Sequence, residues 1–252
     1  RRQRQMCIRD SPNTGHKEEG YMSFFKKAFT LSEVLITLGI IGVVAALTMP
    51  AVIANYQKQE TISRLQKVYS VLSQAVKQAE LNEGEIKYWN FSLPPENFYK
   101  TYIKPYITVS QEFINSDPPF DISYKCLNGR ICNTYGSYSN KSVPKIILND
   151  GSMIIFDFLG NNYEVILTDI NGYKKPNTWG KDMFAFSIQA EGGLRPYGLG
   201  AAIPGGSFGD KMDREAIINS SNARACKKGK DGVWCAALIM MDGWQINKDY
   251  PW

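Results

Sequence analysis

The sequence predicts an α+β fold in which a long N-terminal α-helix packs on an antiparallel β-sheet domain. The first observation is an uncharged run of 24 residues from Val34 to Gln57, which forms a transmembrane half of the helix. The second is a stripe of apolar residues at three- and four-residue spacings after it, which indicates an amphipathic half. The third is a set of short β-rich segments separated by Asn, Asp and Gly.

Residues 1–21 are expected to lie outside the natural protein. The segment Met6–Ser11 back-translates to a transposon end used in sequencing libraries, so it resembles adaptor read-through. Met22 is then the expected start, and residues 22–28 form a short basic leader. The alternative is a disordered basic tail.

The charge and histidine content restrict the classes of function. The formal net charge is +5, but residues 1–28 hold 7 of the 29 Lys and Arg and 3 of the 24 Asp and Glu. The remainder has 22 basic and 21 acidic residues, a net charge of +1, so nucleic acid is not an expected partner. The single histidine, His16, lies in the discounted segment, which argues against Ser-His-Asp and Cys-His catalysis and against His-ligated zinc.

The uncharged run is long enough to span a membrane. At about 1.5 Å per residue it measures ~36 Å, whereas the hydrocarbon core is ~30 Å thick. Lys26 and Lys27 precede it and favour a cytoplasmic N-terminus. The small residue Ala28 comes before the run, whereas a signal peptide has its cleavage site after the apolar region. The helix is therefore expected to remain after processing.

The amphipathic half predicts a surface that packs on a globular domain. A helix from Phe29 to Glu83, with residues 29–55 in the membrane and Gly84 as its stop, would be ~80 Å long. Such a length needs support from a membrane, a domain or other copies. The apolar stripe consists of Ile62, Leu65, Val68, Tyr69, Leu72, Ala75, Val76 and Ala79.

Residues 84–252 are predicted to form the globular domain. A short helix is expected near Phe98–Tyr106, a surface loop over Glu191–Asp210, a short helix within Lys211–Ala225 and a late strand over Ala236–Met241. Four strands are expected in an antiparallel meander, at Lys145–Leu148, Met153–Phe158, Tyr163–Thr168 and Met183–Ile188.

The segment KKAFTLSEVLITLGIIGVVAALTMP resembles the N-terminal signature of type IV prepilins and pseudopilins. The resemblance implies cleavage between Ala28 and Phe29 by a prepilin peptidase, followed by N-methylation of Phe29. Ala28 stands where glycine is usual. The family's glutamate at the fifth mature position is Glu33, and its proline at the twenty-second is Pro50.

The apolar half carries the residues expected to act in assembly. Gly39 and Gly42 allow close helix packing. A plain single-pass anchor is the alternative, but it does not explain Glu33, because a carboxylate in the membrane costs roughly 2.5–3.5 kcal/mol. Pairing of Glu33 with the Phe29 amine of a neighbouring subunit would offset that cost.

The resemblance implies a structural role rather than catalysis. The protein is expected to be a pseudopilin of a type II secretion or related fibre, anchored in the cytoplasmic membrane before assembly, with its domain periplasmic or extracellular. Its partners would be other subunits, the peptidase, an assembly-platform protein and membrane lipid. One alternative is a minor pilin of a type IV pilus or DNA-uptake system. The other is a membrane-anchored enzyme that relies on Asp or Glu.

Four cysteines follow the helix and suggest disulfides formed outside the cytoplasm. Sequence proximity favours Cys126 with Cys132 and Cys226 with Cys235, although four cysteines allow three connectivities.

A loop between two predicted strands resembles one found in many pseudopilin-like sequences, and it offers oxygen ligands. Asp169, Asn171 and Asp182 are candidate ligands for Ca²⁺. The segment is not an EF-hand, because Gly172 comes too early and no glutamate follows at the required distance. The alternative is an Asx-type turn with Gly172 at positive φ.

Overall fold

The structure is a computed structural model that describes residues 30–116, 123–132, 143–160, 163–199 and 213–252, with the backbone alone at 158–160. The chain divides into two units, Arg1–Pro50 and Ala51–Trp252.

Helix α1 runs from Leu31 to Glu83 and contains Pro50 in its interior. It ends where the sequence predicts, because Gly84 has a φ of 92°, a conformation that favours glycine and stops helices. Within the described part of the chain, α1 is the one helix long and apolar enough to cross a membrane, and none of its apolar window is buried.

The amphipathic half of α1 packs on the sheet through the predicted stripe. The ring of Tyr69 lies 5.6 Å from that of Phe186, so α1 covers the face of the sheet that presents Phe186. Burial of the apolar side chains of the stripe stabilises the packing of α1 on the sheet. The buried residues of α1 are Thr61, Ile62, Leu65, Val68, Leu72, Ala75, Val76 and Ala79.

The sheet has six strands, and each pairs antiparallel with its neighbour along the chain. The strands are β1 (Val109–Phe113), β2 (Lys145–Leu148), β3 (Met153–Gly160), β4 (Tyr163–Asp169), β5 (Met183–Gln189) and β6 (Gly193–Pro196). The four predicted strands are β2 to β5. The two edge strands were not predicted, and β6 lies inside the segment predicted to be a loop.

The central strands form the core of the domain. Every residue of β4 and β5 is buried, so both faces of these strands are covered. The pairing of β3 with β4 shifts between Phe156 and Phe158, which makes Asp157 the extra residue of a β-bulge. Because both faces of β4 are covered, its charged residues lie in the interior of the domain.

Short helices complete the domain. Helix α2 (Pro95–Phe98) continues through helical turns to Tyr106, and α3 spans Arg214–Asn219, both where helices were expected. The predicted late strand at Ala236–Met241 is wrong, because this segment belongs to helix α4 (Cys235–Met241). A short apolar run fits a buried helix as well as a strand, and its Ala, Leu and Met residues favour the helix.

Candidate assembly motif and candidate cation site

The first turn of α1 is closed by a reciprocal pair of side chains. The N–H and the hydroxyl of Thr30 donate to Oε2 of Glu33 at 2.8 and 2.7 Å, and the N–H of Glu33 donates to Thr30 Oγ1 at 3.2 Å. This is a capping box, which satisfies N–H groups that have no partner within the helix. This role of Glu33 was not predicted, although the pattern Thr30-Leu31-Ser32-Glu33 is typical of a capping box.

The leader and the cleavage point of the prepilin motif precede the described part of α1. Lys26, Lys27, Ala28 and Phe29 lie outside the described residues, so cleavage and methylation at this point remain predictions.

Gly39 and Gly42 lie on an open surface of α1. A Cβ atom added at either position would meet nothing within 4 Å, so packing within the chain does not require glycine there. The two glycines leave the helix backbone accessible to close approach by another helix.

Pro50 lies in the interior of α1 and has no N–H to donate to the helix.

The structure contains both disulfides that sequence proximity favours. Cys126 is bonded to Cys132 with a Cα–Cα distance of 5.1 Å. Cys226 is bonded to Cys235 at 4.8 Å. All four cysteines are buried.

Two buried carboxylates lie at the ends of the loop between β4 and β5. Asp169 ends β4, and its Oδ2 accepts a hydrogen bond from the hydroxyl of Tyr124 at 2.6 Å. Asp182 precedes β5, and its Oδ2 accepts from the N–H of Asn177 at 2.6 Å. Asp169 is 0 % exposed and Asp182 is 2 % exposed. The loop thus holds two acidic groups away from water.

Burial makes negative charge costly at both carboxylates. It raises the pKa of Asp169 well above its usual range, and the charge of Asp182 raises that pKa further. Burial also raises the pKa of Asp182, despite the backbone hydrogen bonds from Thr178 and Asn177 that oppose this shift. A proton or a cation would relieve this cost.

Two asparagine side chains of the same loop have buried amide oxygens. The Oδ1 atoms of Asn171 and Asn177 accept no hydrogen bond from any residue that the structure describes, and the Nδ2 of Asn171 donates to Asp182 Oδ2 at 3.4 Å. The predicted Asx turn is present, because Asp169 Oδ1 accepts from the N–H of Asn171 at 3.1 Å and Gly172 has a φ of 71°. The turn does not account for the two amide oxygens. Carboxylate and amide oxygens are the ligand type that a hard cation such as Ca²⁺ takes, so Asn177 is a further candidate ligand that was not predicted from the sequence.

A second acidic pair lies in the sheet. Burial raises the pKa of Asp157 to about 7. Burial, and then the charge of Asp157, raises the pKa of Glu164 well above its usual range. Neither carboxyl oxygen of Glu164 has a hydrogen-bond partner within the described ranges of the chain. This pair was not predicted, because an acidic residue in an antiparallel strand usually faces water.

Comparison with known families agrees with these observations. A model of the prokaryotic N-terminal methylation motif matches residues 25–49. With the long helix on an antiparallel sheet, this match defines the class, and the chain is a type IV pilin-like protein. A second model, described as a family of unknown function (DUF6613), matches residues 51–252. The chain belongs to this family, since the match covers more than half of it. No curated protein and no solved structure matches the chain at a significant level.

Proposed function

We propose that the protein is a pseudopilin, a structural subunit of a type II secretion or related pilus-like fibre. The methylation motif makes it a pilin-like precursor processed by prepilin peptidase. The observation that carries the finer proposal is the apolar half of α1, which has no buried residue in its apolar window and two open glycines. A membrane covers this surface before assembly, and the helices of other subunits cover it in the fibre.

The globular domain lies on the periplasmic or extracellular side in this proposal. Lys26 and Lys27 before the helix favour a cytoplasmic N-terminus. The two disulfides support export of the domain, because such bonds persist in oxidising compartments.

Assembly is proposed to use Glu33 of one subunit and the Phe29 amine of the next. The carboxylate of Glu33 is exposed in the single chain, where it contacts only Thr30 among the described residues. An opposite charge from a neighbour would favour one register between helices in a low-dielectric fibre core.

The β4–β5 loop is proposed to bind Ca²⁺ through Asp169, Asn171, Asn177 and Asp182. Its support is the pair of buried carboxylates and the two buried amide oxygens that have no partner in the part of the chain that the structure describes. The bound ion would offset the charge of both aspartates and hold the loop closed.

A fibre assay tests the proposed function. The full chain is expressed with a prepilin peptidase and an assembly system, cleavage is followed by immunoblot, and fibres are sheared and quantified. Replacement of Gly39 and Gly42 by Leu should leave insertion and cleavage intact but reduce fibres at least tenfold, because the helices can no longer approach closely. The matched control is Val43→Leu, which changes an exposed apolar position without filling the glycine surface. Normal fibres from the double glycine variant would contradict the proposal.

A further inference from the structure

A basic cleft lies between α1 and the β4–β5 loop. Its volume is about 560 Å³. Gln57, Glu60 and Arg64 of α1 line one side, and the loop lines the other. All of these residues belong to the unit Ala51–Trp252. We define the basic cleft by its four cationic side chains, Arg64, Lys174, Lys175 and Lys181.

The cleft carries an excess of positive charge. Its four cationic residues face two carboxylates, Glu60 and Asp182, which leaves a net charge of +2. Glu60 forms an ion pair with Arg64, in which Nη2 of Arg64 lies 2.8 Å from Oε1 of Glu60. Asp182 is buried and accepts hydrogen bonds from backbone N–H groups. Both carboxylates therefore have partners within the domain, and the excess positive charge of the basic cleft faces solvent.

Lys174 and Lys175 are the exposed members of the set. Neither forms an ion pair with any residue in the described ranges. The ammonium of Lys181 instead lies over the ring of Trp252, 5.6 Å from its centroid. Two neighbouring lysines without acidic partners favour an anionic ligand.

Aromatic residues occur in the lining of the basic cleft and next to lining residues in the sequence. Tyr173, beside Lys174, is 55 % exposed, and Tyr56, beside Gln57, is 69 % exposed. Trp252 lines the cleft and is partly buried. Exposed Tyr and Trp with Lys are typical of the membrane–water interface, where the rings occupy the headgroup layer.

The position of the cleft along α1 points to the same layer. Gln57 lines the cleft and is also the last residue of the 24-residue uncharged run. A helix needs about 20 residues to cross the hydrocarbon core, so the end of the run lies among the headgroups. Thr61 is the first residue of α1 that the domain buries. The cleft therefore lies at the edge of the domain beside the end of the run.

We propose that the basic cleft binds the phosphate group of anionic phospholipid headgroups while the subunit is in the membrane. Lys174 and Lys175 supply charge, Arg64 and Lys181 flank them, and the aromatic rings lie in the headgroup layer. The proposal rests on membrane insertion of α1, which is part of the proposed function. Each lysine near an anionic surface strengthens the attraction about fivefold.

Native mass spectrometry of the full chain in detergent tests the proposal. Phosphatidylglycerol and phosphatidylcholine with the same acyl chains are added in equal amounts, and the ratio of bound lipids is measured. The parent should retain phosphatidylglycerol in several-fold preference. Replacement of Lys174 and Lys175 by Ala should lower the preference at least fivefold. The matched control replaces Lys227 and Lys228, another exposed lysine pair, and should keep it.

Three results would overturn the proposal. They are equal retention of both lipids by the parent, an unchanged preference in the Lys174/Lys175 variant, and loss of the preference on addition of millimolar inorganic phosphate, which would assign the cleft to a soluble anion. Carbonate extraction of membranes separates this proposal from the proposed function. A chain that is extracted overturns both, whereas an inserted chain without lipid preference overturns this one alone.

Discussion

The carboxylate of Glu33 accepts two hydrogen bonds from Thr30, one from its backbone N–H and one from its hydroxyl. This pair caps the first turn of α1 and gives Glu33 a role within its own chain. The proposed role in assembly needs the charge of Glu33, whereas the cap needs only an oxygen acceptor. Substitutions can therefore separate the two roles.

The first prediction is that assembly depends on the charge of Glu33. Glu33→Gln keeps the acceptor that a capping box requires, and Glu33→Ala removes it. Both variants should insert and be cleaved but enter fibres poorly, because the Phe29 amine of the neighbouring subunit loses its partner. Immunoblots for the cleaved form and sheared-fibre yields measure the two steps.

Thr30→Val is the control for capping. It removes the hydroxyl that bonds Glu33 and keeps the charge, at a cost of about 1 kcal/mol in helix stability. We expect this variant to form fibres. Normal fibres from Glu33→Gln would show that the pairing between subunits is wrong and that capping is sufficient.

The second prediction concerns calcium. Ca²⁺ at 100 times its dissociation constant should stabilise the domain by about 2.7 kcal/mol, which raises the Tm by roughly 5–10 °C. Asn177→Ala should reduce this shift, because it removes a proposed ligand, a buried amide oxygen with no hydrogen-bond partner among the described residues. Thermal unfolding of the full chain in detergent, with calcium and with excess chelator, measures it.

Asn219→Ala is the matched control for calcium, since Asn219 is exposed on α3. It should show the same calcium shift as the parent. Identical unfolding of the parent with calcium and with chelator would leave the Asx turn as the complete description of the loop.

The third prediction concerns Glu164 and pH. Folding raises the pKa of Asp157 from 3.8 to about 7 and raises that of Glu164 well above 4.5. Groups with a raised pKa favour the folded state at low pH, and this contribution is lost as the pH rises toward 7. Glu164→Gln cannot ionise, so it should raise the Tm at pH 8 but give no gain at pH 4.

The expected gain at pH 8 is about 1–3 kcal/mol, or roughly 2–12 °C in Tm. Glu191→Gln removes an exposed carboxylate and should unfold like the parent at both pH values. A Glu164→Gln variant with the same advantage at pH 4 and pH 8 would contradict the electrostatic explanation, since the gain would then come from packing.

The fourth prediction concerns the disulfides. Non-reducing peptide mapping should recover Cys126 with Cys132 and Cys226 with Cys235. Removal of either bond by paired Ala substitutions should cost about 2–3 kcal/mol, a fall in Tm of roughly 4–12 °C. A peptide that joins Cys126 to Cys226 or Cys235, or four free thiols, would contradict this pairing.

Sequence patterns predicted the elements that have strong periodicity. The stripe on α1 and the strands β2 to β5 follow from apolar spacing and turn residues. Strand β1 was missed because VSQEF is polar at three of its five positions, as edge strands often are. Strand β6 contains Gly193 and Pro196, which indicate a loop in sequence but are tolerated at a sheet edge.

The candidate sites were predictable to different degrees. The methylation motif is local in sequence, and so is the Thr30–Glu33 cap. The candidate calcium ligands Asp169, Asn171 and Asp182 stay a prediction, and Asn177 was not among them, because no local pattern in the sequence indicates that the N–H of Asn177 bonds Asp182. The burial of Glu164 follows from coverage of both faces of β4, which depends on contacts between distant parts of the chain.

The order of the strands has a consequence for biogenesis. Among the described residues, each strand pairs with its neighbours along the chain, and the disulfides join residues 6 and 9 positions apart. The pairings from β2 to β6 and the two disulfides are local in sequence, although β1 and α1 join the sheet across longer separations, and local contacts favour rapid folding. We therefore expect the domain to reach its native state while α1 is still held in the lipid bilayer, so that the assembly machinery receives a folded cargo and needs only to move the helix.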